Sequence, residues 1–310
     1  MSFNKGSVLI TGASGMLGKD ITALFASMAN YKVFALHRNT GKKLPWNNVI
    51  TINADITDAA NFASTVKEIK PEITIHCAAV VNVDACETDT AYADKLHSEA
   101  VKVIAEAAPD TRLIYISTDS VFDGTRGNYR ENDIANPVNY YAKSKFDGDV
   151  NTLKLFETGL VVRTNIYGFH LYKQPSLAEW ALDNLSQGQK ISGFNDVYFN
   201  PVYTKQLAEV VLKLATTKYN GIINVASDKF ISKYLFLVEL ARAFGYNTDL
   251  IESKSVNSAS FKAKRPNNTT LNTELLNTLT GSVPGLTEGI NRFCLDYNTY
   301  TSKRLTNEEH

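Results

Sequence analysis

The sequence has little cysteine and no long apolar run. Its three cysteines, Cys77, Cys86 and Cys294, are odd in number and widely spaced among 310 residues. They form neither a disulfide framework nor a Cys-x-x-Cys metal pair, which favours a reducing, cytoplasmic compartment. No apolar run approaches the roughly 18 residues that cross a bilayer, and the first residues contain no signal-peptide core. We therefore expect a soluble protein with no membrane partner.

An excess charge of one sign is also absent. The chain has 32 basic and 32 acidic residues, so its formal net charge is zero, and bulk charge gives no reason to expect a nucleic-acid partner. With 44% hydrophobic and 21% charged residues, the composition is that of an ordinary globular protein rather than a disordered one. At about 150 residues per domain, the length predicts about two domains.

What the first half contains is an alternation of short apolar runs and helical patterns. Runs rich in Val and Ile without polar alternation are typical of strands buried on both faces, and strand-helix alternation predicts a parallel sheet. The expected fold is α/β, a doubly wound parallel sheet of the Rossmann type with a smaller C-terminal substrate-binding lobe. The predicted strands are 8–10, 32–36, 49–52, 73–76, 113–116 and 160–162.

The rhythm loosens after Thr164. We predict a dinucleotide-binding domain over residues 1–164, to which 203–226 return, and a substrate-binding lobe made of 165–202 and 227–310. Within the lobe we expect a loop over 187–201 and a last helix over about 286–297. No Gly/Ser or Pro linker separates the two parts, so they should share a packed interface.

A glycine turn follows the first strand. Gly12, Gly15 and Gly18 form Gly-x-x-Gly-x-x-Gly between a strand and a helix. Glycine allows tight dihedrals and close approach of a diphosphate, and the helix N-terminus offers free N–H groups. We predict a dinucleotide site, against the alternative of a glycine turn without ligand. The cofactor-binding residues expected here are Gly12, Ser14, Gly15, Met16 and Leu17.

The end of the second strand should face the adenosine ribose. His37 and Arg38 stand there, Lys42 and Lys43 follow, and no acidic residue occurs between Tyr31 and Asn53. A basic residue accommodates a 2′-phosphate, whereas an acidic one binds the 2′-hydroxyl, so we predict NADP, with NADPH preferred over NADH. The alternative is a solvated basic loop.

The residues after the third strand are a second cofactor candidate. Asp55, with Ile56 beside it, is placed to contact the adenine edge. Asp55 could equally be a helix N-cap before Asp58.

A tyrosine and a lysine four residues apart open a later helix. Tyr141 and Lys145 share a helix face, whereas Tyr140 has Ser144 at that offset. A neighbouring ammonium stabilises phenolate, so we expect the pKa of Tyr141 to be lowered. A tyrosine so placed can deliver a proton to a developing alkoxide.

The fifth strand ends in Ser117-Thr118-Asp119. Ligands of open parallel sheets sit beyond the carboxyl ends of strands, where the Thr118 hydroxyl can bind a substrate carbonyl. The alternative for Thr118 is a turn residue that satisfies its own backbone.

Together these segments resemble the extended short-chain dehydrogenase/reductases, and in particular the dTDP-4-dehydrorhamnose reductase branch. The resemblance covers roughly residues 8–294. It is carried by the segments 11–18 (TGASGMLG), 76–87 (HCAAVVNVDACE), 117–124 (STDSVFDG), 137–145 (PVNYYAKSK), 162–168 (VRTNIYG) and 265–266 (RP).

The resemblance implies an NADPH-dependent oxidoreductase of carbohydrate biosynthesis that reduces a keto group on a nucleotide-linked deoxysugar. It implies that Tyr141 is the acid, that Lys145 binds ribose and tunes Tyr141, and that Thr118 polarises the carbonyl. It also implies cofactor contacts from Ala78, Ala79 and Val80, and we expect a homodimer. The implied substrate-binding residues are Val81, Asn82, Thr118, Ser120, Asn165, Asn200 and Arg265.

Three positions depart from the pattern of relatives. His97 stands where many carry an Asn, which bears on any proton relay through that position. Ser120 follows Thr118-Asp119 where sugar-nucleotide dehydratases have Glu, which favours reduction over dehydration. Ile166 replaces a Trp of several branch members and bears on the sugar's identity.

Two other functions fit the same resemblance. One is a non-catalytic NADP-binding regulatory subunit like that of methionine adenosyltransferase, and the other is a sugar-nucleotide epimerase. A metal site is not expected, because His76 and Cys77 point to opposite faces of a strand and no tetrahedral ligand spacing occurs.

Overall fold

The computed structural model describes residues 6–38, 44–171 and 176–308, with side chains up to residue 300. Its strands, in chain order, are β1 (Gly6–Thr11), β2 (Tyr31–His37), β3 (Ile50–Asn53), β4 (Ile73–His76), β5 (Arg112–Ile116), β6 (Leu160–Thr164), β7 (Ile166–Tyr167), β8 (Ile191–Phe194), β9 (Tyr198–Phe199), β10 (Val202–Tyr203), β11 (Gly221–Val225), β12 (Ile231–Ser232) and β13 (Ile251–Lys254).

Helices connect most of these strands. They are α1 (Met16–Ser27), α2 (Ala59–Ile69), α3 (Val83–Thr88), α4 (Thr90–Asp94), α5 (Ala100–Ala107), α6 (Tyr140–Leu155), α7 (Leu177–Ser186), α8 (Thr204–Ala215), α9 (Lys233–Phe244), α10 (Glu274–Thr280) and α11 (Leu286–Glu308). A π-helical turn, Lys95–Glu99, separates α4 from α5. Single 3-10 turns lie at Asp119–Val121, Thr248–Leu250 and Val256–Ser258.

Seven parallel strands form the central sheet, in the order β11-β6-β5-β4-β1-β2-β3. The chain winds outward from β1 to β3, then returns to β4 on the other side of β1. Such a reversal leaves a crevice beyond the carboxyl ends of the two strands, where open α/β sheets bind ligands. The register pairs Thr11 with His76 at the edge of this crevice.

Apolar side chains cover both faces of the sheet. In β1, Val8 and Ile10 belong to one buried cluster with α1 and α8, while Leu9 belongs to another with α2 and α5. Alternate residues of a strand point to opposite faces, so each face of β1 is buried by helices. The predicted doubly wound parallel sheet is confirmed.

The second half of the chain contains a third apolar cluster. It is built by α7, α9 and the first part of α11, with Phe236 and Phe293 fully buried among other aromatic rings. The strand β11 joins the central sheet beside β6, in the segment expected to return there. The exact division of the chain at residue 164 stays a prediction.

Some elements differ from the sequence prediction. The expected loop over 187–201 contains β8, which pairs with β13, and β9, which pairs with β12. These strands are two to four residues long and their partners lie far along the chain, so local periodicity gave no signal for them. The last helix, expected to end near Tyr297, continues to Glu308. Among the residues that the structure describes, no helix has both the length and the apolar character needed to cross a bilayer.

Candidate active site

The glycine turn between β1 and α1 lies directly on the segment that follows β4. Gly12 has φ of +65°, and a Cβ there would come within 2.8 Å of the Ala78 backbone. A Cβ on Gly18 would lie 2.1 Å from the Gly12 carbonyl oxygen. Gly15 is the N-cap of α1 and no side chain caps this helix. The first N–H groups of α1 therefore face the crevice, an arrangement that fits a diphosphate.

At the end of β2, His37 is buried and Arg38 is exposed. The Arg38 guanidinium donates a hydrogen bond to the Tyr92 hydroxyl at 2.9 Å. Arg38 also helps to lower the pKa of Asp55, after the larger effect of hydrogen bonds from Thr57. The two predicted cofactor positions, 38 and 55, are thus neighbours in space. The basic residues Lys42 and Lys43 lie outside the described residues.

The N-cap alternative for Asp55 is wrong. Asp58 is the residue that caps α2, accepting a hydrogen bond from the Asn61 N–H at 3.1 Å. Asp55 instead accepts hydrogen bonds from the N–H and hydroxyl of Thr57, which closes a turn just past β3. Ile56, between them, is buried.

The segment after β4, residues 78–80, forms the floor of the crevice. Hydrogen bonds from two of its N–H groups connect it, directly or through Thr11, to two histidines. The Ala78 N–H donates to the Thr11 hydroxyl at 3.3 Å, and Thr11 in turn contacts Nδ1 of His76 at 2.8 Å. The Val80 N–H donates to Nε2 of His97 at 3.1 Å. The anchored segment includes Ala79, so the three predicted cofactor-contact residues 78–80 lie at the switch point.

Farther along this segment, Val81 is 70% exposed and Asn82 is exposed. The Asn82 side chain caps α3 by accepting from the Ala85 N–H. Val81 thus leaves an apolar side chain exposed, while the carboxamide oxygen of Asn82 is engaged locally.

Helix α6 brings Tyr141 and Lys145 to the same edge of the sheet. The Asn139 side chain caps α6 by accepting from the Ala142 N–H at 2.9 Å, which fixes where the helix begins. Lys145 is buried and donates to the Ile116 carbonyl oxygen at the end of β5, at 2.6 Å. Burial lowers the pKa of Lys145 to about 8, although nearby Asp149 works to raise it.

Tyr141 differs from the expectation in its acidity. Burial raises its pKa to about 12, and a hydrogen bond with Thr118 only partly opposes the rise. The predicted lowering by Lys145 is wrong for this structure, because desolvation dominates and the Lys145 ammonium is directed to the Ile116 carbonyl. At neutral pH the phenol is therefore protonated, the form that an acid requires.

Tyr140, the neighbouring tyrosine, is engaged elsewhere. Its hydroxyl donates to Asp94 at 2.7 Å and its N–H donates to Glu87 at 2.7 Å. Of the two tyrosines, Tyr141, indicated by the helix offset, is therefore the one that contacts Thr118.

The local-turn description of Thr118 is confirmed, and its contact with a substrate carbonyl stays a prediction. Its hydroxyl oxygen accepts from the Ser120 N–H at 3.1 Å, which is the local turn, and it also reaches Tyr141 and Asp119. The structure thus brings the three candidate catalytic residues Thr118, Tyr141 and Lys145 together beyond the carboxyl end of β5.

A buried carboxylate that sequence reasoning did not assign lies beside them. Asp119 accepts hydrogen bonds from Thr118, from the Ser120 hydroxyl, from the Asn165 carboxamide at 2.9 Å and from the Thr269 hydroxyl at 2.5 Å. Burial raises its pKa, and the donated bonds oppose that rise. The position of Asp119 next to Thr118 in the sequence indicates that its carboxylate lies at the site. No sequence pattern indicates Thr269, which is 150 residues farther along the chain.

The two other predicted substrate residues have different surroundings. Asn200 is buried, and its carboxamide bonds to the N–H and carbonyl of Leu271, so it links two chain segments. Arg265 is partly exposed, pairs with Asp84 at 3.2 Å and lies over the Phe261 ring. Arg265 therefore connects the late polar segment to the region just after β4.

Comparison with known proteins gives a consistent family. A family model described as the RmlD substrate binding domain matches residues 6–298. A methionine adenosyltransferase 2 subunit beta of Danio rerio is 29% identical, over 89% of this chain and 85% of that protein. A dTDP-4-dehydrorhamnose reductase of Aggregatibacter actinomycetemcomitans is also 29% identical, over 85% of this chain and 90% of that protein.

Solved structures agree with the sequence relatives. A dTDP-4-dehydrorhamnose reductase of Clostridium acetobutylicum superposes with a TM-score of 0.82 at 27% identity, covering 94% of this chain and 99% of that one. A dTDP-4-dehydrorhamnose reductase of Bacillus anthracis, solved in complex with NADP, superposes with a TM-score of 0.79 at 26% identity over the same shares.

The buried histidine His76 predicts a pH dependence of stability. Burial lowers its pKa from 6.5 to about 4, so it stays neutral in the folded protein while the unfolded chain takes up a proton as the pH falls below 6.5. Because of this residue, the free energy of unfolding should decrease by about 1.4 kcal/mol for each unit by which the pH is lowered from 6.5 to 4. Urea unfolding of the wild type and His76→Asn at pH 7, 6 and 5 measures the difference in slope. Parallel pH curves for the two proteins would contradict the assignment.

Proposed function

The chain belongs to the RmlD substrate binding domain family, and on that basis we propose that it is an NADPH-dependent oxidoreductase that reduces the keto group of a nucleotide-linked deoxysugar. One observation carries the proposal: Thr118, Tyr141 and Lys145 meet beyond the carboxyl end of β5, beside the crevice between β1 and β4. Its sugar-nucleotide side is supported by the similarity to dTDP-4-dehydrorhamnose reductases.

The residues of the crevice fit a dinucleotide. Gly12 lets the turn pack against the Ala78 backbone, and the start of α1, which no side chain caps, offers its N–H groups to a diphosphate. Exposed Arg38, with no acidic residue on β2, suits a 2′-phosphate. We assign to the cofactor site Gly12, Ser14, Gly15, Met16, Leu17, His37, Arg38, Asp55, Ile56, Ala78, Ala79, Val80, Tyr141 and Lys145.

NADPH, when bound, supplies the hydride for reduction. The Tyr141 hydroxyl donates a proton to the oxygen that was the substrate carbonyl, and its high pKa ensures that it carries that proton at neutral pH. The Thr118 hydroxyl, which donates to Asp119 in the structure, would turn to donate to the same oxygen and disperse its developing charge. Lys145, whose pKa of about 8 keeps it mostly charged at pH 7, would bind the cofactor ribose, the role that the resemblance implies, from its place at the Ile116 carbonyl oxygen.

The substrate side lies between the segment after β4 and the late polar segment. We propose that Val81, Asn82, Ser120, Asn165, Asn200 and Arg265 surround the sugar nucleotide. Arg265 brings a positive charge that suits a diphosphate, whereas Asn200 acts by holding the wall at Leu271.

Reduction is favoured over dehydration by the chemistry of position 120. Elimination needs a carboxylate base there, and this chain has Ser120, whose hydroxyl donates to Asp119 at 3.3 Å. The neighbouring carboxylate of Asp119 is occupied by four donors and does not replace it.

A regulatory subunit is the second candidate function. It is favoured by the 29% identity to a methionine adenosyltransferase 2 subunit beta, equal to that of the reductase relative. Such a subunit would bind NADP without turning it over. Measurement of NADPH oxidation with a panel of dTDP-linked 4-keto sugars separates the two, because only a reductase consumes NADPH.

The proposal also covers the cellular compartment, the division into domains and the oligomeric state. We place the protein in the cytoplasm because of its few, unpaired cysteines. We assign residues 1–164 and 203–226 to the cofactor domain and 165–202 and 227–310 to the substrate lobe. We also propose a homodimer, which sedimentation equilibrium tests.

Tyr141→Phe should lower kcat for sugar-nucleotide reduction about 100-fold or more, because it removes the proton donor while keeping the ring. The matched control is Tyr140→Phe, whose hydroxyl bonds to Asp94 outside the site. Steady-state NADPH oxidation measures both variants. An equal loss of kcat in the two would show that Tyr141 is not the acid.

Arg38→Ala should reduce the preference for NADPH over NADH, measured as the ratio of kcat/KM values, by about 10- to 100-fold, because a charge-assisted bond to the 2′-phosphate is lost. Arg242→Ala is the control, since Arg242 is an exposed arginine paired with Glu239 on α9. An unchanged cofactor preference in Arg38→Ala would remove Arg38 from the cofactor site.

A further inference from the structure

The most informative group beyond the candidate catalytic residues is a completely buried imidazole. His97 has no exposed surface and lies in the π-helical turn Lys95–Glu99, between α4 and α5. This turn packs against α6, the helix of Tyr141 and Lys145. His97 thus stands between the crevice floor and the helix that carries the proton donor.

The hydrogen bonds of His97 fix its protonation state. Because the Val80 N–H can only donate, Nε2 of the ring accepts, at 3.1 Å. The proton therefore sits on Nδ1, which lies 2.8 Å from the Ser144 hydroxyl oxygen and donates to it. The Ser144 hydroxyl donates onward to the Tyr141 carbonyl oxygen at 3.0 Å. One neutral ring joins the floor of the crevice to the first turn of α6.

The same ring also touches the Tyr141 side chain. The two ring centroids are 5.8 Å apart with planes at 84°, the edge-to-face arrangement that aromatic pairs prefer. His97 therefore contacts the Tyr141 ring directly, and it is linked to the Tyr141 main chain through Ser144.

Burial is the main reason that the ring stays neutral. Burial places the pKa of His97 well below its usual value, and the nearby groups Lys145 on α6 and His76 on β4 lower it further. A protonated ring would direct an Nε2–H at the Val80 N–H, donor against donor, and the floor would have to move.

We propose that His97 is a positioning residue whose neutral ring sets, through Val80, the floor against which the cofactor lies and, through Ser144 and ring contact, the placement of the Tyr141 phenol. The contact of His97 with Val80 and its contact with Ser144 are separate hydrogen bonds, so substitutions can remove one and keep the other. The assignment rests on the proposed function for its effect on turnover, but its effect on cofactor binding does not need a sugar substrate.

Three substitutions distinguish the hydrogen bond to Val80 from the link through Ser144 to Tyr141. His97→Asn is short and can reach only as far as Nδ1, so it keeps the bond to Ser144 and leaves the Val80 N–H without an acceptor. His97→Gln reaches as far as Nε2 and keeps the acceptor for Val80. Ser144→Ala removes the link to Tyr141 with a small change in volume.

The dissociation constant for NADPH, measured by fluorescence titration, and kcat are the readouts. We expect His97→Asn to weaken NADPH binding about tenfold, and His97→Gln to bind NADPH within about threefold of wild type. We expect Ser144→Ala to bind NADPH like wild type and to lose about tenfold in kcat with an unchanged KM for NADPH.

A merely structural role would give a different pattern. It would lower the melting temperature of the variants while leaving both NADPH affinity and kcat at 25 °C near wild type, and that result would overturn the proposal. Equal weakening of NADPH binding by His97→Asn and His97→Gln would also overturn it. If wild type binds NADPH but reduces no sugar nucleotide, the proposed function fails, while the predicted difference between the His97 variants in NADPH binding still decides the role of His97.

Discussion

The hydrogen bonds that join the carboxyl ends of β1 and β4 are the constraint on which the site depends. Thr11 and His76 face each other across the point where the sheet reverses its winding, and the Thr11 hydroxyl accepts the Ala78 N–H. Gly12 fits against the same Ala78 backbone because it has no Cβ. The glycine turn and the segment after β4 are thereby locked into one surface, and a dinucleotide can lie along it only because both are fixed together.

Burial, rather than pairing of charges, decides the chemistry at this surface. It raises the pKa of Tyr141 to about 12 and lowers that of Lys145 to about 8, so near pH 7 the first group carries its proton and the second is close to titration. It also keeps His76 neutral, with a pKa of about 4. A protonated phenol that contacts the Thr118 hydroxyl has the protonation state that the reduction of a carbonyl needs from its acid.

Much of this arrangement could be predicted from the sequence. The strands of the first half were found because buried parallel strands have a local pattern, and the glycine turn because its spacing is local too. Tyr141 was distinguished from Tyr140 by helix offset alone. What could not be predicted depends on distant contacts: the partners of β8 and β9, the Thr269 hydroxyl on Asp119, and the degree of burial that reverses the expected shift in the pKa of Tyr141. The residue types in a sequence indicate where a site lies. The desolvation that sets the pKa values of these residues depends on the whole fold.

The most direct test is a crystal structure with NADP and a sugar-nucleotide ligand bound. The geometry described above requires the nicotinamide ring to lie over the floor formed by residues 78–80, with the Tyr141 hydroxyl directed at the sugar carbon that is reduced and Thr118 beside it. A cofactor bound in the crevice with the Tyr141 ring turned away from the nicotinamide would contradict the reductase assignment.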